Sequence, residues 1–129
     1  MEQAWQRLLR DALATLALSA SQQTRAFGRF CASCELIGDF NHAREVAMGS
    51  ESGLTAAQSK SLDEIDTLMG TMEAADCECF KSEVLNRPVW QRLRELAAAS
   101  LVLFGWEGMK ARPVFESSSG IWSGPSSEM

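Results

Sequence analysis

Cysteine offers this chain its most accessible chemistry. Cys31 and Cys34 form a Cys-x-x-Cys pair within "FCASCELI", and Cys77 and Cys79 form a Cys-x-Cys pair further on. Such pairs serve as disulfides, as dithiol redox couples or as thiolate ligands for zinc. On a helix, Cys31 and Cys34 lie one turn apart and share a face. Cys77 and Cys79 lie about 200° apart and cannot serve one site together. If the two halves pair as a hairpin about residue 51, Cys77 falls roughly 9 Å beyond the level of Cys31, at about 1.5 Å per residue. That is too far for a disulfide or a compact zinc site. The pattern C-x2-C…C-x-C is also not a standard zinc spacing, and no strand precedes the Cys-x-x-Cys pair as a thioredoxin-like motif requires. Cys34 and Cys79 are therefore expected to pack as small buried hydrophobes. Cys77 shares a polar stripe with Ser59, Asp63, Asp66 and Glu73 and is expected to be exposed and modifiable.

Carboxylates and one histidine form the second constellation. Glu35, Asp39, His42 and Glu45 follow helical spacing, with Asp63 and Asp66 at a similar level on the next helix. Asp39-x-x-His42 matches half of a carboxylate-bridged di-iron motif, which needs two Glu-x-x-His pairs aimed into a core. With a single histidine in the chain the motif cannot be completed, and a solvated acidic face is the expectation. A nucleophilic triad lacks a base placed beside a Ser or Cys. No phosphate-cradling glycine loop and no His-Glu-x-x-His motif is present. Neither a catalytic residue nor a cofactor or metal is expected.

These residues must be positioned by helices. Ala, Leu, Glu, Gln, Arg and Met dominate the 129 residues, while Val, Ile and Thr are sparse. Positions 9, 13, 16, 20, 23, 27, 30, 34 and 37 recur at steps of three and four and are apolar except Gln23, an amphipathic stripe. The stripe keeps its phase through "SASQQT", although Ser19 and Gln22 have capping-box spacing. The expectation is one uninterrupted helix from about residue 2 to 48, the alternative being two helices over about 3–18 and 21–48. "MGSESGLT" marks a break, with Thr55 and Gln58 capping the next helix. Leu62, Ile65, Met69, Met72 and Cys79 continue an apolar face. Pro88 belongs at the first turn of a helix or at a kink. A last helix over about 88–107 presents Leu93, Leu96, Ala97, Leu101 and Phe104. The fold class is thus all-α: a long helical hairpin, or an up-down bundle of three or four helices, kinked or broken at Pro88. A helical domain spans 1–110. Residues 111–129 form a Ser- and Gly-rich tail, irregular and either flexible or docked.

The net charge of −5 argues against nonspecific nucleic-acid binding. It is unevenly placed, for residues 32–79 carry ten acidic and two basic groups. Such a polarised field steers partners or favours self-association. The apolar run near the N-terminus lacks a basic leader, and no run is long enough to span a bilayer, so the cytoplasm is expected. A non-catalytic protein–protein interaction module (adaptor, chaperone or regulator) is the functional expectation, homodimeric and without membrane or nucleic-acid partners. Trp90, Trp106, Phe115 and Trp122 are its candidate contact residues. The alternative is a ligand- or metal-binding helical protein, possibly an enzyme, using Cys31 and Cys34 with Asp39 and His42.

Overall fold

The computed structural model describes residues 3–49 and 53–108. It is all-helical: α1 (Ala4–Leu16), α2 (Ala20–Phe27), α3 (Ala32–Gly49), α4 (Ala56–Met69) and α5 (Pro88–Phe104), with short 3-10 turns at Ala74–Cys77 and Ser82–Asn86. No strand occurs among the described residues. Among the described residues the α-helices number five, not three or four.

The expected long first helix is instead three. Ser19 ends the continuity by capping α2: its Oγ accepts from Gln22 N at 3.2 Å, and Gln22 Oε1 accepts from Ser19 N at 3.0 Å. These reciprocal bonds satisfy donors that a helix N-terminus leaves open, which makes a new start competitive with continuation. Gln23 completes the break, for its Nε2 donates to Leu16 O at 2.9 Å and Thr15 O at 3.3 Å. The carbonyls at the end of α1 are thereby closed by a side chain of α2. A second break follows at Gly28, whose φ of 54° turns the chain into the left-handed region that ends α2.

The apolar stripe is real as far as Phe27. Leu9, Leu13, Leu16 and Phe27 are fully buried, as is Gln23. Beyond Gly28 the phase resets. α3 buries Leu36, Phe40, Ala43 and Ala47, whereas Phe30 and Cys34 lie at the surface. α4 begins where expected, with Gln58 N donating to Thr55 Oγ1 at 3.0 Å, and buries Leu62 and Ile65. Pro88 occupies the first turn of α5, which buries Trp90, Leu93, Ala97 and Leu101 and ends at Gly105 with φ 73°.

Packing joins these faces into one core. α1 packs against α3 and α5, and α4 packs against α5. No described helix is long and apolar enough to cross a membrane. The 3-10 turns carry the chain from α4 back across the start of α3, and the candidate site depends on this return.

Candidate functional site

The site is built where α3 starts. Cys31 immediately precedes α3, and its carbonyl accepts from Glu35 N at 2.9 Å, the first helical hydrogen bond. Cys34 stands one turn in and is exposed. The other sulfurs arrive on the return segment, which is held by Asp76. Asp76 Oδ2 accepts from Glu73 N at 2.9 Å, and its Oδ1 accepts from Arg87 Nε. Trp90 Nε1 donates to Asp76 O at 2.8 Å from within the core. Ser33 Oγ closes the junction with a 3.2 Å bond to Cys77 O. One carboxylate and one indole of α5 thus press residues 73–79 against the start of α3.

The consequence is a disulfide between Cys31 and Cys79, with Cα atoms 4.9 Å apart. Cys34 Sγ lies 3.7 Å from Cys79 Sγ. All three sulfurs fall within 4.8 Å of one another. This overturns the separation derived from a hairpin pivoting about residue 51. That register assumed unbroken helices, whereas α4 ends at Met69 and the chain doubles back. Nor is Cys34 a buried packing atom, since it is exposed. Cys79 is bonded rather than packed, and Cys77 is half-buried rather than exposed. Nor do Cys77 and Cys79 diverge on a common helix, because the 3-10 turn ends at Cys77 and Glu78 is extended.

Electrostatics distinguish the groups. The backbone N–H of Glu73, and then the Arg87 side chain, hold the Asp76 carboxyl below the usual carboxylate range. Burial, followed by the charge of Asp76 and the proximity of Cys34, pushes the Cys77 thiol up. Cys77 Sγ meets Met72 Sδ at 3.8 Å, a soft and weakly polar neighbour.

Two exposed aromatic side chains flank the disulfide. Phe30 precedes Cys31 and is 37 % exposed, and Phe80 follows Cys79 and is 76 % exposed. Phe80 also has a φ of 62°, a left-handed conformation that is strained for a bulky side chain. Both line a shallow cavity of about 270 Å³ with Gly28, Ala32, Glu78 and Lys81.

The other sequence-derived candidates lie elsewhere. Asp39 is half-buried on α3 and His42 is exposed. Neither joins the cysteines, which among the described residues are the only set of three or more Cys, His, Asp or Glu side chains able to share an ion. Asp63 pairs with Arg44 at 2.7 Å. Trp90 is fully buried, a core residue and the anchor of Asp76 rather than an exposed contact. Trp106 is half-buried and stacks on Phe104, with ring centroids 4.5 Å apart. Phe115 and Trp122 lie outside the described residues, as does the segment 111–129.

Sequence reasoning missed the Cys31–Cys79 pairing, Asp76, Phe30 and Phe80. The glycine of "FGRF" was the available signal, since a helix end at Gly28 frees Cys31 to start a new helix. Searches against family models, characterised proteins and solved structures find no match to this chain.

Proposed function

We propose that this chain is a thiol-responsive helical interaction module, non-catalytic, whose working groups are Cys31, Cys34 and Cys79. The observation that carries this reading is the third sulfur. A structural disulfide needs two cysteines, but here an exposed thiol stands 3.7 Å from one of the bonded sulfurs. That is attack distance for thiol–disulfide exchange. In the exchange, the Cys34 thiolate bonds to Cys79 Sγ. The Cys31–Cys79 bond breaks with its electron pair on Cys31 Sγ, which takes up the proton that Cys34 gave up. No outside oxidant or reductant is consumed.

The exposed aromatics supply the interaction surface. Phe30 and Phe80 are chain neighbours of the two bonded cysteines, so making or breaking the bond changes how firmly the pair is held together. Exposed aromatic residues are favoured anchors at interfaces. The strained backbone of Phe80 fits a residue placed for recognition rather than for packing. In a reducing compartment such as the expected cytoplasm, a regulated pair of this kind spends much of its time as thiols. Self-association through this face, as expected of a homodimeric module, belongs to the same reading.

Equilibration of purified protein across a series of thiol–disulfide buffers tests the proposal, with alkylation of free thiols and peptide mapping at each step. The expected result is one two-electron transition in which Cys31 and Cys79 leave the alkylated pool together. A chain that shows no disulfide across the series, or that joins Cys31 to Cys34 alone, would remove the basis for the reading.

A further inference from the structure

We infer that the reduced form of this site binds one thiophilic divalent cation of the zinc class, held by the thiolates of Cys31, Cys34 and Cys79. The inference rests on the same convergence of sulfurs as the redox reading, but it uses Cys34 as a ligand instead of an exchange partner.

Geometry carries the argument. Zinc–thiolate bonds of about 2.3 Å in a tetrahedron set the sulfurs about 3.8 Å apart. Cys34 Sγ and Cys79 Sγ already stand at 3.7 Å. All three sulfurs lie within 4.8 Å of one another. Only Cys31 must move, and it is released when its bond to Cys79 is reduced. The backbone resists larger rearrangement, because Asp76, Trp90 and Ser33 fix residues 76 and 77 against α3 and α5.

Charge is consistent with this. Three thiolates and a dication leave one net negative charge at the start of an 18-residue helix, whose N-terminus favours anions. The fourth position falls to water. Cys77 is left out, for its sulfur turns toward Met72 and the converging set is Cys31, Cys34 and Cys79. Such a three-thiolate site with one exchangeable position differs from a closed four-cysteine structural site.

The reactions balance. An external phosphine or dithiol delivers two electrons and, with two protons, converts the disulfide to two thiols. Cation binding then displaces three protons, one from each cysteine. A peroxide reverses the sequence: two thiolates lose two electrons to form Cys31–Cys79, the peroxide with two protons yields two waters, and the cation leaves.

The test uses the full chain reduced with a phosphine, titrated with Co2+ as a spectroscopic probe and with Zn2+ as competitor. Stoichiometry is measured after gel filtration. The expected result is one equivalent of metal with thiolate-to-cobalt charge-transfer bands, proton release on binding, and release of metal on peroxide treatment. Cys77→Ser binds as the parent does. Cys34→Ser binds at least roughly tenfold more weakly, as removal of a ligand should cause, while still forming the Cys31–Cys79 disulfide when oxidised. That disulfide and an unchanged helical spectrum show that Cys34→Ser is folded. Absence of cobalt–thiolate bands, binding that is undiminished in Cys34→Ser, or binding lost in Cys77→Ser overturns the inference. If metal fails to bind while the disulfide still forms, only this inference falls. If neither occurs, the sulfurs do not converge and the redox reading falls with it.

Discussion

Gln23 Oε1 accepts a 3.0 Å hydrogen bond from Arg94 Nη1 inside the core, joining α2 to α5 across 71 positions of sequence. Arg94 also donates to Leu85 O at 2.8 Å, and Gln23 donates to the last carbonyls of α1. One amide therefore closes a helix end and satisfies part of a buried cation. Gln23→Ala removes both services and leaves polar groups in the core without partners. The expected cost is about 2–3 kcal/mol, measured as a shift of the urea midpoint. In an Arg94→Met background the same substitution should cost about 1 kcal/mol less, because the charge it would strand is gone.

Asp76 makes stability depend on acid pH. Its folded-state pKa is depressed, chiefly by the Glu73 N–H and then by Arg87. A carboxylate of this kind contributes stability that is fully present above its unfolded-state value, about 3.9, and is lost as pH falls through the lower folded value. Urea midpoints should therefore be level from neutrality to about pH 5 and decline below about pH 4. Asp76→Asn should lower the neutral midpoint and shrink the decline. An equal decline in the variant would assign the acid sensitivity to other carboxylates.

The two free thiols of the oxidised protein should react at different rates. Cys34 is exposed, whereas Cys77 is half-buried, with its thiol pushed up by burial and by Asp76. At pH 8 iodoacetamide should label Cys34 first and Cys77 slowly, since the thiolate is the nucleophile. Raising the pH should speed Cys77, and Asp76→Asn should speed it at constant pH. Mass spectrometry of timed digests reads both rates.

Much of the fold was legible because its signals are local. The Thr55–Gln58 box lies within one helical turn and Pro88 starts α5, both as the sequence indicates. The Ser19–Gln22 box is equally local, but the unbroken phase of the stripe outweighs it in a reading from sequence and points wrongly to continuity. The apolar stripe correctly placed Leu9, Leu13, Leu16 and Phe27 in the core, and its one polar member proved to be the buried Gln23. A polar residue in an apolar stripe signals a buried hydrogen bond, and that signal was available. The sulfur cluster was not legible. It depends on two interruptions, at Gly28 and after Met69, and on where residues 70–87 travel. Their course is set by tertiary partners, namely Asp76 with Arg87 and Trp90 with Asp76 O. Nothing in the sequence near Cys77 or Cys79 encodes those partners.

Removal of Cys31 tests whether the third sulfur can take its place. In Cys31→Ser the remaining nearby pair is Cys34 and Cys79, already 3.7 Å apart. Disulfide Cα separations of about 4.4–6.8 Å are accessible with small backbone shifts, and Cys34 lies within one turn of the residue it replaces. Mild oxidation of this variant should therefore give a Cys34–Cys79 bond, identified by the linked peptides in a non-reduced digest. Cys77 is a poorer competitor because it is close to Cys79 in sequence and burial pushes its thiol up. The new bond should form more slowly than Cys31–Cys79 in the parent if the parent geometry is tuned to Cys31. A variant that remains fully reduced, or that joins Cys34 to Cys77 instead, would mean that Cys34 does not face Cys79 in solution. Exchange through that thiol would then have no route.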